Sequence, residues 1–187
     1  MNKPLPSARI DRRAALHALA LALAAAAITN CDNLDNFDVD VDATAKIPAG
    51  TVLDELLGVL DFQAFNSIDL TQELDNQGVG KEDVDSVVMT SFTLTIQGPA
   101  GANFDFLEAV SFFAETEGQP KVLVARLDPV PKGATSLDLV MTGKELKPYV
   151  VAPKMRISAE VQGKRPMQET TVVARVVLDV DVTVPGC

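Results

Sequence analysis

Reactive chemistry in this sequence depends mainly on carboxylates, since the chain has 26 acidic residues but two cysteines and one histidine. The histidine, His17, lies in an apolar N-terminal run, so the rest of the chain has no imidazole to act as general base or zinc ligand. Neither the G-x-x-x-x-G-K-[ST] motif nor the G-x-G-x-x-G motif is present. We therefore predict no catalytic residues, no cofactor and a non-enzymatic protein.

Paired carboxylates are the one catalytic arrangement that the residue inventory still allows, because two of them can hydrolyse glycosides. Such sites usually add aromatic platforms that bind sugar rings. This chain has no tryptophan and a single tyrosine, Tyr149. A carboxylate hydrolase is accordingly the weakest of the functional hypotheses.

Calcium would give the carboxylates a binding role, since this hard cation takes about six to eight oxygen ligands. One candidate is the segment 73–85, whose spacing differs from that of an EF-hand loop. Its oxygen donors are Asp75, Asn76, Glu82, Asp83 and Asp85.

A second calcium candidate would arise if the first and last strands were neighbours. The donors would be Asp38, Asp40, Asp42, Asp179 and Asp181. Outward aspartates also prevent edge-to-edge aggregation without any ligand. We predict no metal ligands, and keep a calcium-dependent adhesion or ligand-binding β-sandwich as the alternative function.

The N-terminus has the order of a secretory signal peptide. Four basic residues come first, and an apolar stretch of 15 residues follows from Ala14 to Ile28, broken only by His17. A membrane-spanning helix needs roughly 20 apolar residues, so this stretch is too short for a stable anchor. We predict that residues 1–30 are a signal peptide removed on export.

The residues at the end of this stretch resemble the lipobox of bacterial lipoprotein precursors. Ile28 and Thr29 match the pattern, Asn30 stands where a smaller residue is usual, and Cys31 occupies the position that is acylated. The resemblance implies lipid attachment at Cys31, which would hold the protein in the membrane because several acyl chains anchor stably. Asp32 is similar to the signal that retains such lipoproteins in the inner membrane, on its periplasmic side.

Two other export routes stay open at this point. Ordinary cleavage after Ala25 to Ala27 would leave a free thiol at Cys31, with Cys187 as the possible disulfide partner. Arg12 and Arg13 also suggest twin-arginine export, although Ala15 lies where that motif prefers a large apolar residue.

Charge limits the partners of the mature chain. From Cys31 onward it has 12 basic and 25 acidic side chains, a net charge of −13. This charge repels phosphate backbones and anionic headgroups, so we predict no nucleic acid partner and no electrostatic membrane binding. The expected partners are the membrane, through the lipid, and an unknown envelope protein or ligand.

Alternating apolar and polar residues predict an all-β fold, an antiparallel β-sandwich of about eight strands in one domain over 37–187, after an acidic tether at 31–36. Glycine and proline mark the turns, as at 98–101, 128–133 and 163–166. The predicted strands are 37–47, 62–72, 86–98, 109–118, 121–128, 135–143, 154–163 and 170–184.

Only a few segments are predicted to be helical. The apolar spacing in 51–60 indicates one helix, 80–87 a helical turn before a strand, and 146–151 a connection interrupted by Pro148. The segment 103–110 fits neither period. We expect the apolar cluster in this part of the chain to fill the core between the sheets. Its members are Phe104, Phe106, Leu107, Phe112 and Phe113.

Overall fold

The computed structural model describes residues 36–51, 58–60 and 62–183, with the backbone alone given for 58–60. From Leu34 to Cys187 the chain forms one compact unit. The predicted signal peptide, Cys31, most of the tether and Cys187 lie outside the described residues. Their processing, lipidation and disulfide pairing therefore stay predictions.

Within the described residues, nine strands form two antiparallel sheets, which confirms the predicted all-β sandwich. The first sheet has the order β1-β9-β3-β6 and the second the order β2-β8-β4-β5-β7. The strands are β1 (Asn36–Ile47), β2 (Gly58–Leu60), β3 (Val84–Gly98), β4 (Leu107–Glu115), β5 (Val122–Leu127), β6 (Ser136–Asp138), β7 (Val140–Met141), β8 (Arg156–Gly163) and β9 (Thr170–Val182). The α-helices are α1 (Thr71–Gln77) and α2 (Lys147–Val150), and single 3₁₀ turns span Gln63–Asn66, Lys81–Asp83 and Phe104–Phe106.

The central strand β9 shows why the sequence forms a sandwich. Its alternate residues from Val172 to Val182 are all buried. The residues between them, such as Arg175 and Asp179, face the opposite side of the sheet. Strand residues alternate between the two faces of a sheet, so this pattern gives β9 one apolar face for the core. β1 and β3 pair along nearly its whole length.

Aromatic rings from both sheets meet in the core. Phe92 of β3 and Phe112 of β4 lie with ring centroids 4.1 Å apart, and Phe62 and Phe65 pack beside them. All four side chains are buried, with at most 2% of their surface exposed. This four-ring group packs the two sheets against each other through tilted and edge-on ring contacts.

The predicted aromatic cluster is correct for three residues, partly correct for Phe106, which packs against the core, and wrong for Phe113. Phe104, Leu107 and Phe112 are fully buried. Phe106 is partly exposed at one end of the sandwich. Phe113 is also partly exposed, because it follows Phe112 on the same strand and therefore faces the opposite side of the sheet.

The predicted strand at 62–72 is wrong. A 3₁₀ turn at Gln63–Asn66 opens this segment, an isolated bridge joins Ile68 to Met155, and α1 begins at Thr71. In a 3₁₀ turn, residues three apart lie on the same side, which buries Phe62 and Phe65 together, and Ile68 is buried at its bridge to Met155. Their spacing of three is therefore the reason the alternating pattern failed here.

Two further boundaries differ from expectation. Residues 58–60 form β2 and pair with β8, so the predicted helix over 51–60 is wrong at its end, while 52–57 lie outside the described residues. The predicted strand 135–143 is two strands, β6 in the first sheet and β7 in the second. Leu139 lies at the crossing, and its N–H donates to the Phe92 carbonyl oxygen at 3.0 Å.

The connecting turns agree with the sequence. Lys81–Asp83 is the predicted helical turn before a strand, and α2 starts just before Pro148. The ambiguous segment 103–110 contains both structures, a 3₁₀ turn at Phe104–Phe106 and then β4.

The first sheet has two well-separated ends. At the Asn36 end lie Asn36, Val84 and Val182, and at the Gly98 end lie Ile47, Gly98 and Thr170. β1 runs from one end to the other over 12 residues. At about 3.3 Å per residue, the two ends are roughly 40 Å apart.

Candidate functional site

A cavity of about 520 Å³ opens at the Gly98 end of the sandwich, and we call it the end cavity. Two loops line it, the β3–β4 loop and the β8–β9 loop, which are about 65 residues apart in sequence. The lining residues are Pro99, Ala100, Gly101, Ala102, Asn103, Asp105, Phe106, Lys164, Arg165, Pro166, Met167, Gln168 and Thr170.

The first wall of the end cavity is held by the 3₁₀ turn at Phe104–Phe106. The Asn103 side chain accepts a hydrogen bond from the Asp105 N–H at 3.0 Å and so caps the turn. The Asp105 carboxylate in turn accepts the Gly133 N–H at 2.6 Å. Phe104 is fully buried beneath the turn, which fixes the wall to the core.

The second wall depends on a close backbone approach at Gly163. A Cβ at this position would overlap the Phe106 carbonyl oxygen, and the φ of Gly163 is +157°, which other residues rarely adopt. Because glycine permits the approach, the Lys164 N–H donates to the Phe106 carbonyl oxygen at 2.8 Å. The two walls are thereby joined directly.

The far side of the second wall is also tied down. The Pro166 carbonyl oxygen accepts the Gly50 N–H at 2.9 Å, just after β1 ends. Thr170 is 2% exposed, and its hydroxyl donates to the Gln168 carbonyl oxygen at 3.0 Å. The end cavity is therefore framed by backbone hydrogen bonds and a buried threonine on well-packed strands.

Charge at the end cavity differs from the charge of the whole chain. Lys164 and Arg165 are exposed on its rim, and neither has an ion-pair partner among the residues that the structure describes. The described lining contains one carboxylate, Asp105, whose oxygen is already engaged by Gly133. Met167, beside the two cations, has 78% of its surface exposed. The end cavity is therefore a concave surface with two cations that are unpaired among the described residues and one exposed methionine.

The first and last strands are neighbours, which was the condition for the second calcium hypothesis. Asp38 faces Asp179 directly across the β1–β9 pair, and one Asp179 oxygen, Oδ1, is buried without a hydrogen-bond partner. The other aspartates have partners: Arg175 contacts Asp40 at 3.1 Å and Asp42 at 3.7 Å.

One step along, Asn36 donates to Asp181 at 3.0 Å, and the Ser86 hydroxyl donates to the second Asp181 oxygen at 2.6 Å. Within the described part of the chain, no three His, Cys, Asp or Glu side chains are grouped so that they could hold a metal ion.

The acidic residues of 73–85 are spread over different elements. Asp75 belongs to α1 and Glu82 to a 3₁₀ turn. The Asp83 carboxylate accepts the Gly80 N–H at 2.8 Å, and the Asp85 carboxylate accepts the Thr183 hydroxyl at 2.6 Å. The last two carboxylates thus stabilise a turn and the end of β9.

A charged cluster covers the outer face of the second sheet. Glu115 accepts hydrogen bonds from Ser158 and from Arg156, and Lys121 lies 3.6 Å from the same carboxylate. The Ser158 hydroxyl and then the Arg156 guanidinium hold the pKa of Glu115 below its ordinary value, against the opposing effect of partial burial.

Lys121 links this cluster to an exposed ring. Its ammonium group pairs with Glu160 at 2.5 Å and lies 4.4 Å from the centroid of the Phe113 ring. The hydrogen bond to Glu160 raises the pKa of Lys121. Every charge in this cluster has a partner, so the cluster fastens β4 to β8 across the sheet.

Sequence reasoning named the turns of the end cavity but not the cavity itself. The turn signals at 98–101 and 163–166 are both present, yet nothing in their sequence shows that they meet. The signal that could have pointed to the site is the Lys164–Arg165 pair between Gly163 and Pro166, a basic turn in an acidic chain. Cys31, the predicted lipid attachment site, lies outside the described residues.

No protein-family model matches the sequence, and no curated protein matches it. Within the residues that the structure describes, no helix is long and apolar enough to cross a membrane.

Proposed function

We propose that this chain is an exported bacterial lipoprotein, anchored through Cys31 on the periplasmic side of the membrane, that acts as a non-enzymatic binding module of the cell envelope. The order of basic head, apolar run and lipobox-like residues before Cys31 supports export and acylation. The described residues of the end cavity support binding rather than catalysis, since they include neither an imidazole nor a second carboxylate.

The observation that carries this proposal is the position of the end cavity relative to the start of the fold. β1 begins at Asn36, five residues after Cys31, and the end cavity lies at the other end of the same strand. An anchor at Cys31 would therefore hold the Asn36 end near the lipid and leave the end cavity roughly 40 Å further out. In this orientation the end cavity would be accessible to ligands or partners in the periplasm.

The two ends of the sandwich differ in charge. Asp83, Asp85 and Asp181 lie at the Asn36 end, and Lys164 and Arg165 lie at the Gly98 end. Anionic headgroups repel carboxylates within about 8 Å at physiological salt, so charge opposes a close approach of the Asn36 end to the membrane. The proposed orientation therefore rests on the position of Cys31 in the chain and not on charge.

Metabolic labelling with an alkyne fatty acid tests the anchor. We expect the wild-type protein to incorporate the label, and Cys31→Ser to lose it by at least about tenfold, because the thiol is the acylated atom. Cys187→Ser is the matched control and should label like the wild type. Equal labelling of the Cys31→Ser variant, or an unlabelled wild type, would contradict the lipoprotein proposal.

A calcium-dependent adhesion or ligand-binding domain stays the alternative prediction. A cation bound by the folded state alone raises the melting temperature as its concentration rises. A melting temperature that climbs with calcium but not with magnesium would favour this alternative.

A further inference from the structure

We propose that the end cavity binds a small amphiphilic anion, with its apolar body between the two loops and its oxyanion head at Lys164 and Arg165. This inference deepens the proposed function and rests on its binding role, since it names the ligand class that the module would take. Three properties of the end cavity support it: its size, its apolar lining and its unpaired cations.

Size favours a small molecule over a macromolecule. The end cavity holds about 520 Å³. This value lies inside the range of roughly 300 to 1,000 Å³ that is typical of small-molecule sites. The site is also a concave pocket between two short loops, whereas an extended peptide would need a groove or a free sheet edge.

The lining favours an apolar body. Apolar surface exceeds polar surface in the lining, and its apolar members include Pro99, Ala100, Ala102, Phe106 and Pro166. Removing apolar ligand surface from water against such walls favours binding. Met167 stands exposed beside this lining, and a flexible thioether side chain adapts to ligands of different shape.

The rim favours an anionic head. Lys164 and Arg165 are adjacent, exposed and unpaired among the described residues, in a chain whose formal net charge is −10. Arginine recognises carboxylate, phosphate or sulfonate through two parallel hydrogen bonds, and lysine adds a point charge. Asp105 is the opposing charge, but its carboxylate accepts the Gly133 N–H and the neighbouring Lys132 lies within hydrogen-bond distance of the Asp105 carbonyl oxygen.

Two fluorescent probes that differ in charge test the proposal. The probes are 1-anilinonaphthalene-8-sulfonate, which is anionic, and N-phenyl-1-naphthylamine, which has the same aromatic body without the sulfonate. Both are titrated into the unit Leu34–Cys187, which holds the whole described core and lacks the predicted lipid attachment site Cys31. A cooperative thermal melt of each variant shows that it is folded.

We expect the anionic probe to bind the wild-type unit at least tenfold more tightly than it binds the double variant Lys164→Gln/Arg165→Gln. The affinity for the neutral probe should change less than twofold, because its body contacts the apolar lining alone. Lys144→Gln/Lys154→Gln is the matched control, since it removes two exposed cations that are not part of the end cavity. This control should bind both probes like the wild type.

A second variant locates the binding site. Ala100→Trp places a large ring at an exposed lining position and should abolish binding of both probes. Binding that survives Ala100→Trp would place the probes elsewhere and overturn the inference. An equal loss of anionic-probe affinity in Lys164→Gln/Arg165→Gln and in Lys144→Gln/Lys154→Gln would overturn it as well. So would a wild type that binds neither probe.

The outcomes separate this inference from the proposed function. The probe titrations use a chain without lipid, and the labelling experiment does not depend on any ligand. If the probes fail while Cys31→Ser loses its label, the lipoprotein stands and the ligand class is wrong. Binding by an acidic protein of the envelope, with no binding of either probe, would likewise reject a small-molecule site.

Discussion

At the scale of single residues, the aspartates on the outer face of β1 and β9 differ in whether their carboxylates have a partner. Asp40, Asp42 and Asp181 each have a cation or a hydrogen-bond donor beside them. Asp179 instead faces Asp38, and its Oδ1 is buried without a partner. Like charges directly opposite each other in a sheet are destabilising.

Asp179→Asn should therefore stabilise the protein. The new amide could donate to Asp38, as the Asn36 amide donates to Asp181 one step along the same strand pair. We expect the free energy of unfolding to rise by about 0.5–1 kcal/mol, measured by urea denaturation at pH 7. Asp181→Asn is the matched control and should be destabilising, because it weakens bonds from Asn36 and Ser86. A less stable Asp179→Asn variant would contradict this account of the pair.

Glu115 gives the stability a defined pH dependence. Its pKa in the folded state is lowered, first by the Ser158 hydrogen bond. A carboxyl with a lowered pKa stabilises the fold above its unfolded pKa, near 4.5, and this stabilisation disappears as the pH falls through the lower folded value.

Ser158→Ala should cost about 1 kcal/mol of unfolding free energy at pH 7, since hydrogen bonds to charged groups contribute about 1.5–3 kcal/mol and Glu115 is partly exposed. The difference from the wild type should shrink as the pH falls through the lowered pKa of Glu115, because the carboxylate then becomes protonated. Urea denaturation at pH 7 and pH 3 measures both values. Ser111→Ala, on the same outer face, is the control; a Ser158→Ala deficit that stays constant with pH would contradict the assignment.

At the scale of elements, the long strands were predictable and the short ones were not. Period-two alternation is unbroken in β1 and β9, because each has one face toward the core. It misled at 62–72, where a 3₁₀ turn spaces the core aromatics by three. It also could not show that the chain changes sheets at Leu139, since a strand that crosses between sheets keeps the same alternation.

Phe112 and Phe113 provide a matched pair of neighbours on opposite faces of β4. Phe112 is fully buried against Phe92, so Phe112→Ala should lower the unfolding free energy by about 3–5 kcal/mol. Phe113→Ala should cost only about 1 kcal/mol, since it removes a partly exposed ring and its contact with Lys121. Denaturant melts of the two variants measure this contrast, and equal losses would mean that both rings lie in the core.

At the scale of the whole molecule, the fold has two different ends. Carboxylates gather at the Asn36 end, and the end cavity lies at the Gly98 end with two cations that have no ion-pair partner in the described part of the chain. The end cavity could not be predicted from the sequence. Its two loops lie side by side only because of the register in which β3 pairs with β9 and β4 pairs with β8. The function that we propose depends on this polarity together with an anchor at Cys31.

The mature N-terminus decides that central claim most directly. Intact and peptide mass spectrometry of the protein purified from its own cells would identify its first residue and any attached lipid. Our account predicts a chain that begins at Cys31 and carries the added mass of three acyl chains. A chain that begins between Ala26 and Ile28 without lipid would contradict the anchor and the orientation derived from it.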